Sequence, residues 1–230
     1  MGAVENHLIE LLPRRERSRL HAVCEMIQLA QGDVLCEPGK AISHVYFPLE
    51  ASISLLALIE GSPGVEVAMV GREGMLGVQM ILGVTLASVH ALVQSPGTAL
   101  RIPTAVFRHE LARSPALRRG MNHYLYVRMA QMSTSAACLR FHLIGPRLAR
   151  WLLMSQDRVH ADSFHVTHEF LATMLGVRRE GITTAASALQ RSGLITYRRG
   201  NLTVLDRQGL EAAACGCYAA EREAYAALIC

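Results

Sequence analysis

No apolar run in this 230-residue sequence approaches the ~18–20 residues needed to span a bilayer. The N-terminus has neither a basic n-region nor the apolar h-region of an export signal. Met1-Gly2 is followed by Asn6, where a myristoylation acceptor would need Ser or Thr. A membrane partner is therefore not expected, and a cytoplasmic protein is. The six cysteines, at 24, 36, 138, 215, 217 and 230, are scattered through a chain without an export signal, so they do not form the pattern of a disulfide framework. Charge of one sign is also scarce. A formal net charge of +4 and a pI near 8.9 are only mildly basic, so any nucleic-acid footprint must be local. Apolar residues make up 51% of the chain, enough for two packed cores and against disorder.

The most informative segment runs from 166 to 204, VTHEFLATMLGVRREGITTAASALQRSGLITYRRGNLTV. Thr167 is a candidate N-cap, because its hydroxyl can accept from a free amide in the first helical turn. Phe170, Leu171, Met174 and Leu175 then fall at helical spacing, and Gly176 supplies a left-handed stop. A second helix is expected from Val177 or Arg178 to Gly193, burying Ile182, Ala185, Ala186 and Leu189. Its outer face carries Arg178, Arg179, Glu180, Thr183, Thr184 and Ser187, groups that match phosphates and base edges. Leu194 to Tyr197 predict a strand, Arg198-Arg199-Gly200-Asn201 a turn, and Leu202 to Leu205 the return strand. This is the outline of a winged helix-turn-helix, with Thr167, His168, Arg178, Arg179, Glu180, Thr183, Thr184, Ser187, Arg198 and Arg199 as candidate DNA contacts.

The N-terminal half is of another kind. After a short helix around Pro13 to Cys24, glycine turns alternate with short apolar strands: Gly32–Leu35, Val45–Pro48, Ser52–Ile59, Glu66–Val70, Ser88–Gln94 and Thr98–Ile102. Such a run predicts a sandwich or barrel, here a double-sheet jelly roll. Between the halves, Ser114 can cap and Pro115 can open a long helix. Its apolar stripe, Met121, Leu125, Met129, Met132, Ala136 and Leu139, can face the jelly roll, a second subunit, or both. In the following GPRLARWLLM helix, Leu148, Trp151 and Leu152 are expected to face inward, with Arg147 and Arg150 exposed and a hinge near Cys138 to His142. The fold class is thus α+β, with a jelly roll over residues 1–112, a dimerisation helix and hinge over 113–140, and a DNA-binding domain over 141–230.

From Val166 to Leu205, and then over most of its length, the sequence resembles the Crp/Fnr transcription regulators. The resemblance implies that Arg179 and Glu180 read a G·C pair, arginine by bidentate donation to guanine and glutamate by accepting from cytosine. Where many members carry a further arginine, this chain has Thr184. It also implies a parallel homodimer on a near-palindromic operator of double-stranded DNA, RNA polymerase as a partner, and a small-molecule effector in the jelly roll. In cyclic-nucleotide-binding members a Gly-Glu pair contacts the ribose and an Arg-Ser or Arg-Thr pair neutralises the phosphate. The matching positions here are Gly74-Met75 and Ala87-Ser88, so the carboxylate and the guanidinium are missing. Burying a phosphate without a charged partner costs several kcal/mol. Cyclic AMP is therefore not the expected ligand, and the effector stays unknown. Arg72, Glu73, Gly74, Met75, Leu76, Ala87 and Ser88 mark the expected pocket.

Other cofactors fare no better in the sequence. The chain lacks the close N-terminal cysteine cluster by which oxygen-sensing members hold an iron–sulfur centre. Cys215-Gly216-Cys217, with Cys230, could take a soft metal or oxidise, but ordinary thiols in a C-terminal helix are the expectation, and no metal site is assigned. No HxxxH or HxH pair falls in the strand region, though haem ligation by a histidine stays open. A jelly roll could also house a cupin-type metal enzyme, but His21, His44, His90 and His109 lack the spacing for it, and no enzyme is expected. A regulator with no ligand, its jelly roll a scaffold only, is the remaining alternative.

Overall fold

Short capped helices open the chain in the computed structural model, which describes residues 5–62, 64–159 and 161–229. The Asn6 side chain accepts from Leu8 N to cap α1 (His7–Glu10). Its amide also donates to Pro48 O at 3.0 Å and Gly74 O at 2.8 Å, which ties the first turn to the strands beyond. α2 (Arg14–His21) follows Pro13, which starts it but offers no side-chain cap. The strands β1 (Glu25–Leu29), β2 (Val34–Cys36), β3 (His44–Pro48), β4 (Ser52–Ala57), β5 (Val65–Val70), β6 (His90–Ser95) and β7 (Gly97–Pro103) come next, with a 3-10 turn at Val78–Leu82 between β5 and β6. They pair antiparallel into two sheets, β1-β7-β3 and β2-β6-β4-β5. This is the expected double-sheet roll. Val45, Phe47, Leu100 and Ile102 fill it from one sheet, and Phe47 meets Phe107 edge-on at 6.0 Å.

α3 (Thr104–Arg113) leads directly into α4 (Pro115–Phe141). Ser114 caps α4 by accepting from Leu117 N, and Pro115 occupies the first turn, where a missing N–H costs nothing. At 27 residues α4 is about 40 Å long. Its N-terminal half buries Leu117, Met121, Tyr124 and Val127 against the roll. Tyr124 comes so close that a Cβ on Gly74 would lie 2.1 Å from its hydroxyl oxygen, so this helix seat requires glycine there. The stripe on α4 thus divides. Met121 belongs to the roll's core and Leu125 is half-buried, whereas Met129, Met132, Ala136 and Leu139 are exposed.

His142 ends α4, and after Leu143 the chain re-enters helix as α5 (Ile144–Val159), 16 residues of amphipathic sequence that extend GPRLARWLLM at both ends. Then come β8 (Ser163–His165), α6 (His168–Leu175), α7 (Arg179–Arg191), β9 (Ile195–Arg198), β10 (Asn201–Val204), α8 (Arg207–Ala213) and α9 (Cys217–Ile229). The wing is a three-stranded sheet, β8-β10-β9, rather than the two-stranded hairpin expected. Trp151, Leu152, Leu171, Ile182 and Leu189 share one apolar cluster with Leu56 and Met69 of the roll. α5 is therefore core to the C-terminal half and to its seat on the four-stranded sheet.

That seat overturns the exposure expected for Arg147 and Arg150. Arg147 is buried and donates to Leu175 O at the end of α6. The Arg150 side chain is only 11% exposed, pairs with Glu221 of α9 and donates to Ser135 Oγ at 3.2 Å. Both lie on flanks of α5 that a single-helix projection leaves in solvent, but α4, α6 and α9 cover them. α9 runs back along α4 as a strap: His123 Nδ1 meets Leu228 O at 3.1 Å, and the Tyr225 hydroxyl donates to Glu73 O at 2.7 Å.

One carboxyl in this seat is out of its ordinary range. Trp151 Nε1 donates to Glu66 Oε1 at 3.0 Å, and Oε2 has no partner. Burial pushes Glu66 up to about 7, against the lowering pull of the Ser54 hydroxyl and of Arg158. An unfolded glutamate titrates near ~4.3. The folded chain therefore holds this proton more tightly, and its stability falls as pH rises from the unfolded value to the folded one. Glu66→Gln keeps an acceptor for Trp151 and removes the titration. Its melting temperature should match the parent's near pH ~4.5 and exceed it increasingly up to pH ~8; a difference that does not change with pH would refute the assignment.

Candidate nucleic-acid interface

The helix pair is built by local chemistry. Thr167 accepts from Phe170 N at 3.1 Å, and Gly176 ends α6 with φ +61°. Arg178 precedes α7 in extended conformation; its carbonyl accepts from Gly181 N at 3.0 Å, but it offers no side-chain acceptor to the amides before that. The leading amides of α7 are thus left to an outside partner, the arrangement by which helix N-termini hold phosphate. Ile182, Ala185, Ala186 and Leu189 turn inward, while Arg178, Arg179, Glu180, Thr183 and Thr184 are exposed and Ser187 is half-buried.

The two threonines already use their hydroxyl hydrogens. Thr183 donates to Arg179 O at 3.1 Å and Thr184 to Glu180 O at 3.0 Å. What they present outward is a methyl group and acceptor lone pairs, chemistry suited to a thymine methyl or an amino hydrogen. His168 is different from the other candidates. Its ring stacks on Tyr197 of the wing at 4.5 Å, 15° from parallel, and its Nδ1 lies 3.1 Å from Thr183 Oγ1. Because Thr183 spends its hydrogen on Arg179 O, Nδ1 must carry the proton in this contact. Burial and then the charge of Arg179 hold His168 below the usual histidine range, so it stays neutral. It joins recognition helix to wing. Tyr197 completes the joint by donating to Val166 O at 2.8 Å.

The wing tip is a tight two-residue turn. Arg199 and Gly200 both have positive φ, +51° and +83°, between the paired Arg198 and Asn201, the sense of a type I′ hairpin. Arg199 is the only non-glycine residue with positive φ among the described residues. The turn leaves the guanidinium groups of Arg198 and Arg199 exposed at the tip, while Tyr197 in the same wing is tied to α7 through His168 and Thr183.

The expected effector pocket does not gather in the same way. Met75 and Leu76 are buried in the roll's cores, and Leu76 bridges to Tyr46 through main-chain bonds of 2.8 and 3.1 Å. Ala87 is buried and Ser88 exposed. Gly74 faces Tyr124 of α4, and Arg72 gives its carbonyl to His7 N at 2.9 Å. Glu73 pairs with the buried Arg158 of α5 at 2.7 Å. It lines a cavity of about 540 Å³ together with Gln131, Asp157, Tyr218 and Arg222, between α4, α5 and α9 rather than between the sheets.

The thiols expected to be ordinary are not isolated. Cys215 and Cys217 stand beside Cys138 and His142, with the four donor atoms within 4.8 Å of one another. The sequence pair Cys215-Cys217 was legible, but its partners lie 75 and more residues away, out of reach of a spacing rule. Cys230 is outside the described residues.

Comparison with known proteins agrees with this architecture. A family model for the cyclic nucleotide-binding domain matches residues 26–114, and one for the Crp-like helix-turn-helix domain matches residues 146–213. No curated protein sequence matches the chain significantly. Among solved structures, a Crp/Fnr-family transcriptional regulator from Eubacterium rectale is 18% identical with a TM-score of 0.70, covering 91% of this chain and 99% of its own. FixK2 from Bradyrhizobium japonicum is 13% identical with a TM-score of 0.71, over 84% and 98%. A Crp/Fnr-family regulator from Thermus thermophilus is 24% identical with a TM-score of 0.67, over 83% and 98%. At these identities the structures establish the shared fold.

A Cβ on Gly200 would lie 2.5 Å from the His165 ring and would sit at a positive φ. Gly200→Ala should therefore destabilise the chain by more than ~1 kcal/mol in chemical denaturation, and amide exchange should rise first in β9 and β10. Unchanged stability would show that the wing does not need this turn.

Proposed function

Because the chain belongs to the Crp/Fnr family of transcription regulators by both of its domains, we propose that it acts as a homodimer that lays α7 in the major groove of a near-palindromic operator. The observation that carries this reading is the exposed face of Arg178, Arg179, Glu180, Thr183 and Thr184, beside a wing that presents Arg198 and Arg199. Arg179 and Glu180 read a G·C pair, Thr184 sets the preference at a neighbouring step, and the wing arginines hold phosphate. Ser187, half-buried on the same helix, borders the reading face, and Thr167 and His168 support it from α6. RNA polymerase is the expected further partner, and the cytoplasm the expected setting. Among the described residues, no helix is long and apolar enough to cross a membrane.

The dimer seam is the outer part of α4. Leu125, Met132 and Leu139 recur every seven residues, with Met129 and Ala136 between them, the repeat of a two-stranded coiled coil. Met129 is 60% exposed and Met132 46% exposed in the single chain, and Tyr126, Phe141 and Leu143 extend the apolar surface. Large apolar side chains crowded on one helix face mark an interaction surface. Met121 contributes to the roll's core instead.

The jelly roll is a sensor whose ligand is not cyclic AMP. Two features support this: the missing carboxylate and guanidinium at Met75 and Ala87, and the engagement of Glu73 by Arg158. An effector acts by biasing how α4 and α5 are arranged, which changes the spacing of the two recognition helices.

Selection from random DNA followed by affinity measurement tests the reading. Arg179→Ala should cost about 1–3 kcal/mol on the selected site and relax preference at one G·C position. Arg199→Ala should weaken all sequences alike and reduce the salt dependence by about one unit. Equal losses for both variants on specific and random DNA would overturn the base-reading role. Met132→Glu should convert the dimer to monomer in sedimentation, with its circular dichroism retained; a dimer that persists would place the seam elsewhere.

A further inference from the structure

Four ligand-type side chains meet where the long helix hands over to the C-terminal half. Cys138 and His142 lie one turn apart at the end of α4, and Cys215 and Cys217 flank Gly216 where α9 begins. Cys138 Sγ is 3.5 Å from Cys215 Sγ, and Cys217 Sγ is 3.6 Å from His142 Nδ1. With zinc–sulfur bonds of about 2.3 Å and zinc–nitrogen bonds of about 2.0–2.1 Å, donors around a tetrahedral ion stand roughly 3.5–3.8 Å apart. Two edges of such a tetrahedron therefore have their length already, and no pair of donors in the cluster exceeds 4.8 Å. So small a spread fits one ion.

The surroundings favour a cation. Cys138 lies in the last turn of α4 and His142 caps it, so the cluster sits at the negative end of a 27-residue helix. Cys138 Sγ has a second thiol, that of Cys215, as its neighbour. Cys24 shows the contrast: burial pushes it up to about 12, and its Sγ finds only the Leu20 carbonyl. Access is one-sided. Cys138 and Cys215 are buried, while Cys217 is half-buried and His142 exposed, which leaves an open path for an ion from solvent.

We propose that Cys138, His142, Cys215 and Cys217 form a Cys3His site for a single zinc ion. Each thiol that is still protonated releases its proton to solvent as its zinc–sulfur bond forms, and no redox change is involved. The ion would fasten the end of α4 to the start of α9 across the break at His142 and Leu143. Its occupancy would then set the angle between the α4 seam and α7, so that the metal changes operator affinity. That last consequence rests on the regulator reading; the site itself does not.

Titrating metal-free, reduced full-length chain with cobalt(II) in the absence of oxygen tests both. The expected result is the visible spectrum of tetrahedral, thiolate-bound cobalt, saturating at one ion per chain and abolished by zinc(II). Cys217→Ser and His142→Ala, both at the open edge, should fold as the parent does by circular dichroism and lose that spectrum. Cys24→Ser and Cys36→Ser should keep it. Failure of the parent to take up cobalt overturns the site, as does a spectrum that survives in Cys217→Ser and His142→Ala together. Quantitative formation of a Cys138–Cys215 disulfide, with no cobalt bound after reduction, overturns it in favour of a thiol pair. With the site filled, operator affinity that is the same with and without zinc overturns the coupling alone.

Discussion

The docking of α5 on the four-stranded sheet is the contact on which the rest of the molecule depends. α5 carries Leu148, Trp151 and Leu152, the inner wall of the helix-turn-helix core, and the same helix presses that core against Leu56 and Met69. The position of α6, α7 and the wing relative to the roll is therefore set largely through this helix, with α6 adding its own contact on β5, where Gly176 lies against Val65. Apolar burial supplies most of the attraction, but polar groups set the register. Gln94 Nε2 donates to Ser155 Oγ at 3.0 Å while Ser54 donates to Gln94 Oε1 at 2.9 Å, and Arg158 meets Glu73. Buried pairs of this kind contribute modest net stability and strong geometric selection. A seat specified by geometry more than by stability is the sort of element that can have a second arrangement close in free energy.

Arginine shows how position divides one residue type between two tasks. Arg178, Arg179, Arg198 and Arg199 are exposed around α7 and the wing, whereas Arg128, Arg147 and Arg158 are buried between elements. Arg128 donates to Met69 O at 2.9 Å, holding α4 to β5. A planar, permanently charged fork serves both roles, because it can reach phosphate in solvent or satisfy several carbonyls and a carboxylate indoors. The mild overall charge therefore understates the local contrast.

Much of the DNA-reading half was legible because its signals are local. A hydroxyl cap at Thr167, a left-handed Gly176 and the apolar spacing of Ile182, Ala185, Ala186 and Leu189 each act within a few residues. The roll was legible as a class from its glycine turns, yet β1 escaped: Glu25 and Met26 face solvent on an outer strand, which leaves EMIQL without an apolar run. α3 stayed undelimited because the chain passes from β7 into helix at Pro103-Thr104 with no glycine between. β8 is three residues long and is defined by its pairing to β10, a partner 36 and more residues away. The same limit hid the burial of Arg147 and Arg150 and the meeting of Cys138 with Cys215. Those properties belong to elements brought together late in the chain, and periodicity within one element does not contain them.

The strap formed by α9 has a bearing on how the molecule is made. α9 is the last described helix in chain order, yet its partners are among the earliest: Tyr225 reaches His7 Nδ1 at 2.8 Å and the Glu73 carbonyl, and Glu221 reaches Arg150. On the ribosome, most of the roll's core and of the helix-turn-helix core can form before α9 emerges, and Ile229 and Tyr218 of α9 then complete them. The contacts by which α9 reinforces the α5 seat must wait until that helix has been made. Until then a nascent chain holds its two halves by the α5 and α6 contacts alone, and the appearance of α9 times the closing of the assembly.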